Sequence, residues 1–419
     1  MEHTIGFGKT PQRFTIPDNI HTDLLLPNQL EQTIAEDQVI RQALDFPIGA
    51  SRLEEIVQPK DNIVIVTSDI TRPMPSKTVL PLVLQRLYDT GVPSQNITIV
   101  FALGSHRFHT ESEKEELVGP EVFRRLRCID SGTEGFVRLG ITEAGTPVDI
   151  DKTVAAADLR ICLGNIEYHY FAGYSGGAKA IMPGVSSHDA IQANHRMMVE
   201  DKAKVGILEG NPVRSDLEEA IALCPIHFLL NVILDKNKKV VRAFAGHYIQ
   251  AHRGGCAALD QLYQKHISYK ADIVIVSQGG APKDLNLYQV QKALDNAGSA
   301  VRDGGIIILV GSCQEGMGEP VFEEWMLRAN TPEELTARIK QEFVLGGHKA
   351  AAIALILRKA NIYLVSEMEE AFVRKIFMRP FRKVQDALDA ALAASAANPS
   401  ILLMPYGGST LPIVDAANQ

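Results

Sequence analysis

The chain has little that would staple it together from outside its own core. Its five cysteines, Cys128, Cys162, Cys224, Cys256 and Cys313, are odd in number and widely spaced. They form no CxxC pair, so neither a disulfide framework nor a thiolate zinc site is expected, and they read as buried free thiols. Basic residues are in deficit, 42 Lys and Arg against 50 Asp and Glu. The formal charge of −8 excludes the basic face that non-specific nucleic-acid binding needs. No run of about 18 apolar residues occurs, which excludes an ordinary membrane-spanning helix. The first residues, Met1-Glu-His-Thr-Ile-Gly-Phe-Gly-Lys9, lack the basic start and apolar centre of a secretory signal. The expectation is a cytoplasmic protein that engages neither membrane nor nucleic acid. Tryptophan occurs once, at Trp325.

What is present is a globular composition, 46% hydrophobic and 22% charged over 419 residues, too long for one ordinary core. Short β-branched runs alternate with longer helical segments, the pattern of α/β layering with largely parallel strands. Strands are expected over residues 62–67, 97–102, 158–163 and 227–234, and again over 272–277, 305–310, 361–365 and 401–404. Helices are expected over 76–88, 288–300, 332–343, 349–359 and 384–396, with Ser76 as an N-cap. A polar helical stretch near residues 255–270 leads into the second series. This divides the chain into an N-terminal α/β domain, 1–265, and a C-terminal α/β domain, 266–419, whose last segment is free to pack back on the first.

In parallel α/β sheets ligands bind beyond the carboxyl ends of the strands, so the polar residues that follow each strand are the candidates. Residues 62–67 run into Asp69-Ile-Thr71-Arg72-Pro, where Arg72 offers a fork suited to carboxylate or phosphate. Residues 97–102 run into Gly104-Ser-His106-Arg107, which places an imidazole after a glycine turn, with His109 competing for the same role. Residues 158–163 lead to His169-Tyr-Phe-Ala-Gly173-Tyr-Ser175-Gly176-Gly177-Ala-Lys179. This glycine-dense loop reads as a ligand cradle but lacks the Gly-Lys-Ser/Thr core of a P-loop. A lysine there suits either a phosphate contact or a covalent bond to a cofactor. His188 and His195 follow, His195 beside Asn194, which can orient it. A lone imidazole needs a cofactor to supply a metal's remaining donors. In the second series, Gln289 and Lys292 are three apart on one helix face, and a carboxylate held between Lys292 and Arg72 is one reading.

Taken together, Asp69-Ile-Thr-Arg72-Pro-Met-Pro-Ser76, Gly104-Ser-His106-Arg107, the His169 to Lys179 loop, Asn194-His195 and Leu287-Tyr-Gln289-Val-Gln-Lys292 resemble, in order, the motifs of the nickel-dependent lactate racemase family. The resemblance spans both domains. It implies two α/β domains with an interdomain active-site cleft, and a racemase or epimerase that inverts C2 of a small 2-hydroxy acid. It implies a nickel pincer nucleotide, a pyridinium dithiocarboxylic acid mononucleotide, covalently bound to Lys179, with His195 as the protein's nickel ligand. It places Asp69, Thr71, Ser175, Gly176 and Gly177 against the cofactor, His106 and His169 as catalytic histidines, and Arg72, Gln289 and Lys292 near the substrate. Cofactor-synthesis enzymes would be maturation partners, and a homo-oligomer is compatible. One departure stands out: the family's tryptophan before the penultimate helix has Gly346-Gly347-His348-Lys349 in its neighbourhood here. His348 and Lys349 thereby become candidate substrate contacts, and malate, an aryl-hydroxy acid or a sugar acid becomes an alternative to lactate. Two other readings stay open: a pyridoxal-phosphate or phosphate-binding lyase using Lys179, and a non-catalytic carboxylate- or nucleotide-binding protein of the same fold.

Overall fold

The computed structural model describes residues 1–28, 34–235 and 237–415. It divides into two compact units, Met1–Gln29 with Leu262–Gln419, and Leu30–Gln261. Both are α/β. None of the described helices is long and apolar enough to cross a membrane.

The unit Leu30–Gln261 is built on a six-stranded sheet in the order Val240–Gly246, Phe228–Leu234, Leu159–Asn165, Ile63–Ser68, Ile97–Ala102, Arg127–Asp130. All neighbours run parallel except the first pair. Ile63–Ser68 reads Ile-Val-Ile-Val-Thr-Ser and Leu159–Asn165 is buried along its whole length, the continuous apolar pattern of strands covered on both faces. From Ile63–Ser68 the chain winds outward to Ile97–Ala102 and Arg127–Asp130, then returns to the other side at Leu159–Asn165. The topological switch point therefore lies between the strands Ile63–Ser68 and Leu159–Asn165. It is the place in such a sheet where neighbouring loops part and leave a crevice. An antiparallel hairpin, Phe136–Ile141 with Pro147–Asp151, is inserted before that return. It was not legible from the strand pattern.

The other unit carries a second six-stranded sheet, wholly parallel, in the order Arg379–Phe381, Ala360–Val365, Val301–Val310, Ala271–Ser277, Ile401–Met404, Thr22–Leu24. All eight expected strands are present, with ends moved by a few residues at most, except that residues 305–310 extend back to Val301. The division into contiguous halves at residue 266 needs correction at the N-terminus. Thr22–Leu24 is an edge strand of the second sheet, and the hairpin Glu2–Ile5 with Gln12–Thr15 places Ile5, Phe14 and Ile16 in that sheet's core. The C-terminal strand Leu411–Val414 likewise stays with the second unit, paired to Gln264–Ile267. Ser76 is also not a cap. It opens the helix Ser76–Asp89 after Pro75, and its hydroxyl bonds that of Thr67, 2.7 Å away.

The N-terminal hairpin is thus part of the second unit's core. Phe14→Ala should cost about 3–5 kcal/mol of stability, measured by urea denaturation of the full chain. A loss under about 1 kcal/mol would mean that Phe14 only rests on that core.

Candidate active site

Three loops leave the carboxyl ends of adjacent strands around the switch point, and each brings candidate groups. After Ile63–Ser68, Asp69 is buried and Thr71 donates its hydroxyl to the Asp69 carboxylate at 2.9 Å. After Ile97–Ala102, the turn closed by His106 N–H on the Leu103 carbonyl sets His106 Nδ1 2.7 Å from Asp69 Oδ2. An ionised carboxylate only accepts, so Nδ1 carries the proton and Nε2 the lone pair. Burial works to raise the Asp69 pKa, but the bonds from His106 and Thr71, the attraction of His106 when it is protonated and the charge of Arg72 outweigh it and hold the carboxylate below its ordinary value. His109, the competing histidine, is committed elsewhere: Nδ1 donates to Asp130 at 2.6 Å and Nε2 accepts from Ile70 N–H at 3.1 Å. It fastens the two loops to each other.

The third loop, residues 166–179, follows Leu159–Asn165 and gathers its groups around one ring. Phe171 stands edge-on to His169 and to His195, with centroids 4.4 and 4.9 Å apart, and Lys179 Nζ lies 5.8 Å from its centre. His169 Nδ1 accepts from Ala172 N–H at 3.2 Å, which assigns the neutral ring's proton to Nε2. Burial depresses the His169 pKa well below its ordinary value, helped by the charges of Lys179, Arg72, His195 and Arg214. Lys179 is depressed likewise, by burial first and then by Arg214 and Arg72.

The glycines of this loop are also required by the protein packed against them. Gly176 and Gly177 have φ of +72° and +61°, and a Cβ on them would fall 2.6 Å from Asn231 Oδ1 and 2.8 Å from the His252 ring. The space beside them is filled by protein. The Gly177 amide is bound to Asn231 Oδ1, and the Ser175 hydroxyl donates to the Asn165 carbonyl while accepting from Glu167 N–H. These residues therefore shape the loop and deliver Lys179, which sits on a single 3₁₀ turn, Gly177–Ala180.

The sequence reading missed the clamp underneath. In the helix Pro212–Ala220, Arg214 is 1% exposed and donates to the carbonyls of Ala172 and Tyr174, while Asn211 at its cap donates to that of Phe171. Burial brings the Arg214 pKa down to about 10, and its Nη1 has no partner among the described residues. A signal was available: Val213, Leu217 and Ala220 define an apolar face, and Arg214 and Asp216 flank it, where charge is not expected unless it is held.

The remaining candidates are less gathered. Arg72 is exposed, though its charge reaches Asp69, His169 and Lys179. His188 is exposed at the start of its helix. Gln289 and Lys292 lie on the exposed face of Leu287–Ala300, which leaves Ala271–Ser277 at the second sheet's own switch point. His348 and Lys349 differ from expectation. Both are buried in the first turn of Gly347–Leu357, with His348 Nδ1 accepting from Gly346 N–H and the Lys349 ammonium donating to the Tyr288 carbonyl above that ring. Trp325 is buried against Gly347. These interactions secure the helix within its unit.

A lysine with a depressed pKa presents its unprotonated amine at lower pH than a surface lysine does. Lys179 should therefore reach half-maximal acylation by an amine-reactive reagent at lower pH than the exposed Lys77 and Lys152, read by peptide mass spectrometry. Arg214→Met should move that midpoint up. Coincident midpoints for all three lysines would contradict the assigned environment.

Comparison with known proteins finds similarity over nearly the whole chain. Residues 7–206 match the lactate racemase N-terminal domain and residues 267–411 the lactate racemase C-terminal domain. The lactate racemase of Thermoanaerobacterium thermosaccharolyticum is 33% identical, covering 97% of this chain and 98% of its own. That of Lactiplantibacillus plantarum is 32% identical over 89% and 90%. The apoprotein structure of the Thermoanaerobacterium enzyme superposes with a TM-score of 0.88, covering 99% of this chain and 100% of its own. A Thermotoga maritima protein, 17% identical with a TM-score of 0.64, shares the fold alone. With both of its domains matched and two relatives aligned along most of its length, the chain belongs to the lactate racemase family.

Proposed function

We propose that this protein racemises lactate, or a 2-hydroxy acid of similar size, with His106 and His169 as its proton-handling groups. The observation that carries the reading is the contrast between the two rings: His106 is backed by a buried carboxylate and offers a lone pair at Nε2, while His169 is backed by a backbone amide and offers a proton there.

Inversion at C2 needs the hydrogen to leave and return on the opposite face. Loss as a proton would leave an unstabilised carbanion, whereas loss as hydride, with the hydroxyl proton going to a base, gives a neutral carbonyl. The proton goes to His106 Nε2, and the Asp69 carboxylate compensates the charge that it brings. The bond from C2 to hydrogen would break with its electron pair passing as hydride to an acceptor, the keto acid would turn its other face, and the hydride would return to C2, so there is no net oxidation. His169 meets the oxygen as a donor. To serve as the base for the other enantiomer it must exchange its bond with Ala172 for a proton on Nδ1. Arg72 suits the carboxylate.

The hydride acceptor belongs to a cofactor, and the residues fit a nickel pincer nucleotide. Lys179 supplies a depressed amine for a covalent tether, and His195 supplies one imidazole. Among the described residues no group of three His, Cys, Asp or Glu could hold a metal, so the metal's other donors must come with the cofactor. When bound, that group supplies reversible hydride acceptance without a diffusible nicotinamide. Its making requires synthesis enzymes as maturation partners, in keeping with a cytoplasmic enzyme.

Protein matured with those enzymes should interconvert the lactate enantiomers by chiral chromatography and carry an adduct mass on the Lys179 peptide. Lys179→Ala should lose both. His106→Gln and His169→Gln should each keep the adduct and lose about 10²–10⁴ in kcat. A nickel-loaded, adducted chain that inverts no hydroxy acid in a broad panel would refute the activity.

A further inference from the structure

The ring of His195 is held by a chain of buried hydrogen bonds whose direction is forced at every link. It begins in the inserted hairpin, where the Thr146 backbone N–H donates to Thr142 Oγ1 at 3.1 Å. With that lone pair taken, the Thr142 hydroxyl donates to Asp216 Oδ1. The carboxylate can only accept, so the atom facing its other oxygen, 2.7 Å away, is the amide nitrogen of Asn194. The same nitrogen lies 3.2 Å from the Val213 carbonyl, a second acceptor that requires the same orientation. Asn194 Oδ1 therefore faces His195, and Nδ1 donates to it at 2.9 Å. Thr142, Thr146, Asn194, Asp216 and His195 are all buried, where water cannot substitute for a lost partner.

We propose that Asp216 and Asn194 are positioning residues for the metal site, fixing His195 with its proton on Nδ1 and its lone pair on Nε2. The two tautomers of imidazole differ little in energy, and only one of them can donate to a metal from Nε2. Left to itself the ring would divide between them and turn about its χ2. Asn194 removes both freedoms, and Asp216, gripped by Thr142 of the inserted hairpin, removes the freedom of the amide to flip. This rests on the reading of His195 as the nickel ligand.

Two measurements separate the proposal from a purely structural role. In the unmatured protein labelled with ¹⁵N-histidine, long-range ¹H–¹⁵N correlation reports the tautomer of each ring, and His195→Gln identifies the relevant signals. The parent should show His195 protonated on Nδ1, and Asn194→Ala should show a mixture. In matured protein, Asn194→Ala should retain the Lys179 adduct but release nickel to EDTA about 10–100 times faster, the usual effect of removing a metal ligand's partner. Asn194→Asp opposes two carboxylates and should also fail, whereas Asn194→Asp with Asp216→Asn restores an acceptor for Nδ1 and a donor beside it. This exchanged pair, although it sets an oxygen against the Val213 carbonyl, should recover the parent tautomer and part of the nickel retention.

Parent-like tautomer and nickel release in Asn194→Ala, with His195→Ala losing nickel, would overturn the proposal while leaving the ligand reading intact. Nickel retained in His195→Ala would overturn the ligand reading instead. Should Asn194→Ala fail to fold, the exchanged pair decides: a folded protein with His195 protonated on Nε2 overturns the proposal.

Discussion

The site depends on two charged side chains buried on one short helix. Arg214 and Asp216 sit on the inner face of Pro212–Ala220, where an unsatisfied charge would cost several kcal/mol. Each is held by partners that also belong to the site. Arg214 grips the carbonyls that shape the loop from Phe171 to Tyr174, and Asp216 grips Asn194. One helix of nine residues thus fixes both the loop that presents His169 and Lys179 and the helix that ends in His195.

The way Arg214 is satisfied matters as much as that it is satisfied. Carbonyl oxygens solvate a guanidinium without cancelling its charge, and its nearest carboxylate oxygen, on Glu218, is 4.0 Å from Nε. Its positive field persists under the loop, and the depressed pKa values of Lys179 and His169 both carry its mark. Asp69 experiences the opposite environment, a buried carboxylate ringed by donors and held ionised. Neighbouring titratable groups driven apart in this way are what acid–base chemistry near neutral pH requires.

Most of the scaffold was legible in the sequence because parallel strands buried on both faces leave a strong local signature, as Ile63–Ser68 does. The hairpin Phe136–Ile141 with Pro147–Asp151 left none: its outer strand alternates weakly and is largely exposed. The placement of residues 1–28 was hidden for another reason, since nothing in Phe14 or Leu24 says which of two sheets they will join. Among the candidate site residues, Asp69, His106 and His169 stood out by their position after strands, and their roles and that of His195 were implied by the family resemblance. Arg214, Asp216, Asn231 and His252 did not stand out, because they act through the backbone or through another side chain. The glycine loop shows the gap most plainly: its spacing was visible, but the reason for it, the Asn231 and His252 side chains pressed against Gly176 and Gly177, comes from residues more than fifty positions away.

Four histidines on this unit illustrate how one side chain is given different tasks by what stands at Nδ1. At His106 it is the Asp69 carboxylate, which can offset the charge of a second proton, so Nε2 is suited to taking one and giving it back. At His109 it is also a carboxylate, but the Ile70 amide already occupies Nε2, and the ring is left as a brace. At His169 it is a backbone N–H, which cannot accept, so the ring carries its one proton outward as a donor. At His195 it is the neutral Asn194 amide. An amide fixes the tautomer as firmly as a carboxylate does but offsets no charge, so it gives the ring no added reason to hold a proton at Nε2 where a metal would bind. On the proposed reading, acceptance of a proton, donation of one and an outward lone pair fall to separate rings, which a racemase using hydride and proton transfer needs at the same time.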